Sequence, residues 1–256
     1  MNIFTEFDHI TFPSGEKHLR ARFSEVSGGA MLEYHSPCPD IMLIGMAAAC
    51  IREELQNGDV ELYLPFVPYA RQDRIAQPGD AFSLKVFAGF LNQLNFSKVH
   101  ICDPHSDVTP ALINNVRVTP QWTIASQVPL EEETKIVAPD LGAAKKAARL
   151  ASLMSRDLVQ ASKVRDSKTG ALSKFTVLSG SLSGTDCLVV DDICDGGGTF
   201  LGLGEVLRDR GVKRLGLYIT HGLFTKGLDD LFKVYDYIYT TDSVPQTDSR
   251  LNIINV

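Results

Sequence analysis

The residues with the clearest chemical potential form one short run, Leu188–Thr199, in the C-terminal third of the chain. An apolar stretch leads into two adjacent carboxylates, Asp191 and Asp192, and then into a glycine-rich turn that ends at Thr199. Glycines let backbone N–H groups approach an anion, and a helix that follows offers its positive N-terminal end. Two carboxylates repel a phosphate, so we expect them to bind sugar hydroxyls or a metal ion instead. The run therefore predicts a ribose-phosphate site.

A second cluster of charged residues lies in the loop Pro68–Arg74, after an expected strand. Arg71 and Arg74, with Gln72 and Asp73 between them, suit a triphosphate and a base edge, because guanidinium groups bind phosphates in a bidentate manner. A loop of surface salt bridges would have the same composition.

Three further positions lie where strands are expected to end. His105 is a candidate ligand, although a lone histidine is more often a core or capping residue. Asp140 stands where a strand turns into a helix, a place that a helix N-cap also occupies. Lys163 and Arg165, which precede the polar segment Asp166–Gly170, are two residues apart and point the same way on an extended strand. At the mouth of a site they could stabilise charge in a phosphoryl-transfer transition state.

Short β-like runs alternate with helix-period segments along the chain, which predicts parallel sheets covered by helices. The predicted strands are Val60–Leu64, Lys98–Cys102, Lys135–Ala138 and Asp157–Ser162. The predicted helices carry the apolar pattern Leu84, Phe87, Ala88, Leu91 and Leu94, and the alanine-rich segment Ala143–Met154. The acidic run Glu131–Glu133 reads as a linker, so we expect two similar α/β domains, 1–130 and 131–256, each a mainly parallel sheet flanked by helices. Ligands of such sheets bind outside the carboxyl ends of the strands.

Composition narrows the class of protein. The 256 residues carry a formal net charge of −6, which argues against nucleic acid as the main partner. Five cysteines form no CxxC pair and predict reduced thiols. The longest apolar run, Ile41–Ile51, is too short to span a bilayer, and no signal peptide is expected at the N-terminus. We therefore expect a cytoplasmic protein without a membrane partner.

Taken together, these segments resemble the ribose-phosphate diphosphokinase (phosphoribosyl pyrophosphate synthetase) family. Val189–Thr199 looks like the phosphoribosyl diphosphate loop of type I phosphoribosyltransferases. Pro65–Arg74, with the following Gln77–Ser83, looks like the family's ATP loop. Further matches follow in family order, at Phe12–Glu16, Asp103–Ser106, Ala138–Gly142, Lys163–Arg165, Thr220–Phe224 and Thr241–Pro245.

The resemblance implies two tandem phosphoribosyltransferase-like domains and a homo-oligomer with an ATP site between subunits. The implied reaction transfers the β,γ-diphosphoryl group of ATP to the anomeric hydroxyl of ribose 5-phosphate, releases AMP and requires Mg²⁺.

The resemblance also implies roles for individual residues. The expected ATP contacts are Phe12, Glu16, Arg71, Gln72, Asp73 and His105. The expected ribose-phosphate contacts are Asp191, Asp192, Asp195, Gly196, Gly197, Gly198 and Thr199. The expected metal ligands are His105, Asp140, Asp191 and Asp192. Lys163 and Arg165 are the expected catalytic cations.

Several positions depart from the family pattern. Ser14 stands where the family has an acid that reads the adenine amino group, which leaves the nucleotide preference open. Val164 replaces a basic residue, and allosteric control by ADP or phosphate is not expected. The triple glycine Gly196–Gly198 replaces a hydroxyl residue and an alanine. It reads either as drift in a permissive loop or as a cradle widened for a larger ester such as ADP-ribose.

Two other classes stay open at this point. A nucleobase phosphoribosyltransferase would keep the 188–199 run but has no need of the Arg71–Arg74 loop. A non-catalytic regulatory subunit is the other alternative, although the expected catalytic positions are all present.

Overall fold

The computed structural model describes residues 6–22, 30–36, 40–56, 58–165, 172–178 and 180–256. The chain forms two compact units, Met1–Thr119 and Pro120–Val256. Each contains a mainly parallel sheet with helices, which confirms the predicted α/β class. The predicted domain boundary near residue 130 stays a prediction; the two units divide after Thr119, ahead of the acidic run Glu131–Glu133.

The first unit opens with a hairpin in which β1 (Glu6–Thr11) pairs antiparallel with β2 (Lys17–Arg22). The elements that follow are β3 (Ala30–Glu33), α1 (Ile41–Glu54), β4 (Val60–Tyr63), α2 (Ser83–Gln93), β5 (Lys98–Cys102), α3 (Val108–Leu112) and β6 (Val116–Thr119). Strands β3 to β6 form a parallel sheet in chain order.

The helices of this unit follow from their apolar faces. The apolar run after Asp40 forms α1, and the Asp40 carboxylate caps the helix by accepting from the Met42 backbone N–H at 3.0 Å. The helix predicted for α2 is confirmed: Leu84, Phe87, Ala88 and Leu91 are buried in the core of the unit, and the last predicted position, Leu94, is its partly buried C-cap. No helix in the described ranges combines the length and the apolar composition that a bilayer crossing requires.

The second unit contains a larger sheet. Its elements are α4 (Gln121–Ala125), β7 (Lys135–Ala138), α5 (Ala144–Leu153), β8 (Leu158–Arg165), β9 (Leu172–Leu178), β10 (Asp186–Cys194), α6 (Gly198–Asp209), β11 (Arg214–Gly222), α7 (Asp229–Val234), β12 (Tyr237–Thr241) and β13 (Asn252–Ile254). Within the described residues the strand order is β13-β12-β11-β10-β7-β8-β9, and β9 alone runs antiparallel to its neighbour. The chain thus builds outward from β7 to β8 and β9, and then returns to the other side of β7 with β10.

Strand β10 lies at the centre of this unit and is longer than the apolar pattern indicates. Cys187–Val190 has no solvent exposure, as expected for a strand covered on both faces. Pairing with β11 continues past Val190, because Ile193 pairs with His221 and Cys194 with Gly222. The two carboxylates predicted to follow the strand therefore lie within it, and the turn begins at Asp195.

Replacing an interior glycine by alanine is expected to have opposite effects on stability in α2 and in α6. A Cβ at Gly89 in α2 would meet nothing within 4 Å, whereas a Cβ at Gly204 in α6 would lie 2.3 Å from a methyl of Val234. We expect Gly89→Ala to stabilise the protein by about 0.5–1 kcal/mol through helix propensity. We expect Gly204→Ala to cost about 1–3 kcal/mol through overpacking. Urea unfolding followed by circular dichroism measures both, and a stabilising Gly204→Ala would contradict the packing of α6.

Candidate active site

The carboxyl edge of the second sheet brings together acids that are distant in the sequence. The order of the strands reverses between β7 and β10, and the crevice at such a reversal is where ligands of α/β sheets bind. Asp140 follows β7, and Asp191 and Asp192 lie near the end of β10. The three predicted positions therefore lie at this reversal.

Asp191 and Asp192 place two adjacent carboxyl groups in a buried environment. The Asp192 N–H donates to Asp191 Oδ1 at 2.9 Å, and the Ile193 N–H donates to Asp192 Oδ1 at 2.8 Å. Burial raises the pKa of Asp191 well above its usual range, and the charges of Asp192 and Asp140 add to this effect. The edge thus carries an excess of negative charge that favours a cation.

One lysine offsets part of this charge. Lys146, in the first turn of α5, places Nζ 3.7 Å from Asp192 Oδ2, and the Asp192 side chain is almost fully buried. Sequence reasoning assigned Lys146 no role, because nothing in the sequence relates a helix residue to a strand acid 46 positions away. The two neighbouring carboxylates therefore differ, because Lys146 forms an ion pair with Asp192.

Asp140 has a structural role in addition to its predicted role as a metal ligand. Its Oδ1 accepts from the Ala143 N–H at 3.1 Å, so the carboxylate holds the turn that leads into α5. Gln160 of β8 donates to the Asp140 carbonyl at 3.1 Å and ties this turn to the neighbouring strand. The N-cap interpretation of Asp140 is therefore wrong, because the N-cap of α5 is Ala143 and Asp140 stabilises the turn before it. The charge of Asp140 contributes to the raised pKa of Asp191.

The glycine-rich turn has the geometry of an anion cradle. Gly197 has φ +77°, a left-handed conformation that favours glycine, and its carbonyl accepts from the Phe200 and Leu201 N–H groups at 3.0 Å. Helix α6 begins at Gly198, so its N-terminal end faces the turn. A Cβ at Gly198 would meet nothing within 4 Å. The predicted cradle is thus a strand–turn–helix unit, and its third glycine borders open space.

A neighbouring loop fixes the start of this cradle. The Leu223 and Phe224 N–H groups donate to the Cys194 carbonyl at 2.9 and 3.1 Å. Thr225 then donates twice to Asp195, from Oγ1 to Oδ1 at 2.7 Å and from N–H to the carbonyl at 3.0 Å. The loop after β11 therefore holds Asp195 in place, a role that the sequence alone did not indicate for Thr225.

Cys194 is the only thiol inside the 188–199 run. Burial raises the pKa of Cys194 to about 12, with smaller contributions from the charges of Asp191 and Asp195. The thiol stays protonated at neutral pH, so it does not act as a nucleophile.

Buried polar residues join the ends of β11 and β12 next to the cradle. The His221 ring pairs with Ser243 Oγ through Nδ1 at 2.8 Å, and the Ser243 and Thr241 hydroxyls donate to the Thr220 carbonyl at 3.2 and 2.6 Å. All four residues are buried. They belong to the segments that carry the family resemblance, and their contacts show a positioning role that the motifs alone did not reveal.

In the first unit, two predicted ATP-binding loops share one sheet edge. Arg71 and Gln72 are exposed and Asp73 is half-buried in the loop after β4. His105 is exposed after β5, and the carboxyl ends of these adjacent parallel strands lie at the same edge. Tyr69 closes the first loop with φ +61° by accepting from the Gln72 N–H at 2.9 Å. Their roles in binding ATP stay predictions.

The hairpin of the first unit carries the other two predicted ATP contacts. Phe12 is 48% exposed at its tip. Glu16 accepts from the Ser14 hydroxyl at 2.9 Å, so the serine that replaces the family's acid is bonded to a neighbouring acid. Both roles stay predictions.

The two predicted catalytic cations belong to β8, whose backbone pairs Lys163 with Phe175 and Arg165 with Leu172. Their side chains lie outside the described residues, and so does the segment Asp166–Gly170.

The predicted metal set likewise stays a prediction. His105 belongs to the first unit, whereas Asp140, Asp191 and Asp192 belong to the second. In the part of the chain that the structure describes, no three His, Cys, Asp or Glu side chains form a metal site by themselves.

The fold and this edge define an α/β protein in which an acid pair precedes a glycine-rich turn at the N-terminus of a helix. The family model of the phosphoribosyl transferase domain matches residues 110–253, more than half of the chain. The protein therefore belongs to the phosphoribosyl transferase domain family.

Individual relatives agree with the resemblance seen in the motifs. The chain is 26% identical to a ribose-phosphate pyrophosphokinase of Pyrococcus furiosus over 95% of this chain and 88% of the relative. It is 29% identical to a protein of the same name from Mycoplasma pneumoniae over 93% of this chain and 76% of the relative. The crystal structure of phosphoribosylpyrophosphate synthetase from Mycobacterium smegmatis superimposes with a TM-score of 0.82 at 23% identity, covering 98% of this chain and 86% of that one. The predicted likeness to this family and its fold is confirmed.

The raised pKa of Asp191 predicts that ionisation of this side chain destabilises the folded protein. The folded protein binds a proton on Asp191 more readily than the unfolded chain does, so stability falls as pH rises from the usual carboxyl range through the raised pKa. We expect Asp191→Asn to remove this loss and raise the melting temperature by about 2–4 °C at pH 8 in the absence of divalent ions. The gain shrinks toward pH 5.

Asp192→Asn is the matched control, because it relieves the same repulsion but also loses the pair with Lys146. Thermal melting of the two variants should rank Asp191→Asn above Asp192→Asn. The reverse order would show that ionised Asp191 is not the destabilising member of the acid pair.

Proposed function

We propose that the protein transfers the diphosphoryl group of ATP to the anomeric hydroxyl of ribose 5-phosphate, forming phosphoribosyl pyrophosphate and AMP in a reaction that requires Mg²⁺. The observation that carries the proposal is the acid pair Asp191–Asp192 directly before the phosphate cradle, at the reversal of the strand order. The relatives named ribose-phosphate pyrophosphokinase, which match almost the whole chain, support the synthesis of phosphoribosyl pyrophosphate.

The acceptor half of the reaction belongs to the second unit. The turn Asp195–Thr199 receives the 5-phosphate through backbone N–H groups and the N-terminal end of α6. Asp191 and Asp192 accept hydrogen bonds from the ribose hydroxyls, because ionised carboxylates are strong acceptors for O–H groups. The two groups of the acceptor thus bind at neighbouring places on one strand and its turn.

Mg²⁺ fits the donor set at this edge. Carboxylate oxygens are its preferred protein ligands, and the ion usually takes one or two of them together with substrate phosphates and water. Burial raises the pKa of Asp191, and the negative charges of Asp192 and Asp140 add to the effect; a divalent cation neutralises that charge. When bound, the ion supplies charge neutralisation for the phosphates of ATP.

We assign the donor half of the reaction to the residues that the family resemblance implies. Arg71, Gln72 and His105 contact the phosphates and base of ATP, and Lys163 and Arg165 stabilise the charge that develops on the transferring group. The anomeric oxygen forms a bond to the β-phosphorus and loses its proton, while the bond between the β-phosphorus and the oxygen bridging it to the α-phosphate breaks and AMP leaves. In a homo-oligomer, Phe12 and Glu16 help form the adenine pocket of an adjacent subunit. The protein acts in the cytoplasm.

A second acceptor, ADP-ribose, is favoured by one observation. The space beside Gly198 is open, so the cradle has room for a substituent on the 5-phosphate. The same anomeric hydroxyl would then accept the diphosphoryl group.

The two other classes have less support. A nucleobase phosphoribosyltransferase would not release AMP from ATP without a base. A regulatory subunit would show no ATP-dependent activity by itself.

Mass analysis of the products tests the proposal. The protein is incubated with ATP, Mg²⁺ and either ribose 5-phosphate or ADP-ribose, and the expected result is AMP together with the acceptor plus a diphosphoryl group. Product from ADP-ribose alone would assign the larger ester. No AMP with either acceptor would overturn the proposed reaction, and EDTA should abolish any product.

Lys163→Ala tests the donor half. One cation that stabilises the transferring group contributes roughly 3–5 kcal/mol to lowering the barrier, so we expect turnover to fall by about a thousandfold. The melting temperature of the variant, measured alongside turnover, separates loss of the cation from loss of the fold. Near-normal turnover in this folded variant would contradict the catalytic role of Lys163.

A further inference from the structure

Lys226 lies against the first glycine of the phosphate cradle. A Cβ placed on Gly196 would stand 3.3 Å from Cε, 3.4 Å from Cδ and 3.6 Å from Cγ of Lys226. Such distances are at or below ordinary van der Waals contact, so the aliphatic stem of the lysine already fills the space that a side chain at position 196 would use. The two residues are 30 positions apart in the sequence.

The backbone around Lys226 is fixed on the cradle itself. Its neighbour Thr225 bonds to Asp195 through both its hydroxyl and its N–H. On the other side, the Gly227 N–H donates to the Phe224 carbonyl at 2.8 Å, and Gly227 has φ +78°. This tight turn presents Lys226 from a defined position and not from a long free loop.

The residue as a whole is exposed although its stem packs on the glycine. Lysines commonly bury their methylene groups along a surface while the ammonium group stays in water. Cε, which carries the ammonium group, is the nearest of the three carbons to the position of a Cβ on Gly196, so the charge is attached directly to the part of the stem that lies against the turn. A cation carried by that carbon is within reach of an anion bound by the turn.

We infer that Lys226 is a ligand of the acceptor's phosphate ester, and that the absence of a side chain at Gly196 admits it. The inference rests on the proposed function, since it assigns a further contact to the same acceptor site. Lysine acts on phosphate as a compact charge with three donors, which complements the fixed N–H groups of the turn. Such a charged contact determines which phosphate esters bind, and it takes no part in the transfer.

Titration calorimetry with the intact chain tests the contact without relying on turnover. Ribose 5-phosphate and ADP-ribose are titrated separately into the wild-type protein and into Lys226→Met, which keeps the stem and removes the charge. We expect the dissociation constant of the bound ester to rise about 10- to 100-fold, as for the loss of a charge-assisted hydrogen bond. KM for the same ester should rise with it, while kcat and KM for ATP stay within about twofold.

Lys213→Met is the matched control for a change of net charge. Lys213 is exposed immediately before β11 begins, and so lies at the amino edge of the sheet, opposite the cradle. Its substitution should leave the affinity for the ester unchanged.

A double-mutant cycle tests the part assigned to Gly196. A serine at 196 presses on the stem of Lys226, so Gly196→Ser should weaken ester binding in the wild type and have little effect in the Lys226→Met background. Equal effects of the serine in both backgrounds would show that Gly196 does not act through the lysine.

The outcomes separate this inference from the proposed function. Wild-type binding that Lys226→Met does not weaken overturns the inference and leaves the function standing. Failure of the wild type to bind either ester overturns both. If the wild type binds the ester but makes no AMP, and Lys226→Met binds the ester more weakly, the contact is supported and the proposed reaction is overturned.

Discussion

Repulsion among the carboxylates at the carboxyl edge of the second sheet is the constraint on which the site depends. Asp191 and Asp192 are adjacent on β10, and Asp140 follows the neighbouring strand β7. Burial and the charges of Asp192 and Asp140 raise the pKa of Asp191. The fold tolerates this arrangement because backbone N–H groups donate to both acids and Lys146 pairs with Asp192. The same unfavourable charge supports the proposed binding of a cation and of the ribose hydroxyls at this edge.

The rest of the second unit holds this edge still. Strand β10 is paired with β7 up to Val189 and with β11 through Asp191, so the backbone that carries the acids is held in the sheet. The loop after β11 bonds to the last residue of the strand and the first of the turn. The buried contacts of His221 with Ser243 and of Thr241 with Thr220 fix the ends of the strands that support this loop. A site of this kind is positioned by hydrogen bonds between neighbouring strand ends.

Much of the fold follows from local patterns. The predicted strands Lys98–Cys102 and Lys135–Ala138 have the bounds that the structure shows, and the apolar period of α2 locates its buried face. The length of β10 could not be predicted in this way, because Asp191 and Asp192 interrupt the apolar pattern while pairing with β11 continues through them to Cys194. A ladder of backbone hydrogen bonds does not depend on side-chain type, so hydropathy misses its end.

The sequence by itself determined the α/β class, the acid pair with its glycine-rich turn, and the likeness to the ribose-phosphate diphosphokinase family. Each of these rests on short local runs of residues, or on the order of such runs along the chain. Only the tertiary structure decided that Lys146 pairs with Asp192, that Thr225 holds Asp195, and that Lys226 packs against Gly196. These contacts join residues 30 or more positions apart, across strands whose order in the sheet is not their order in the chain. No local pattern encodes such pairs, because their distance is set by the packing of the whole unit.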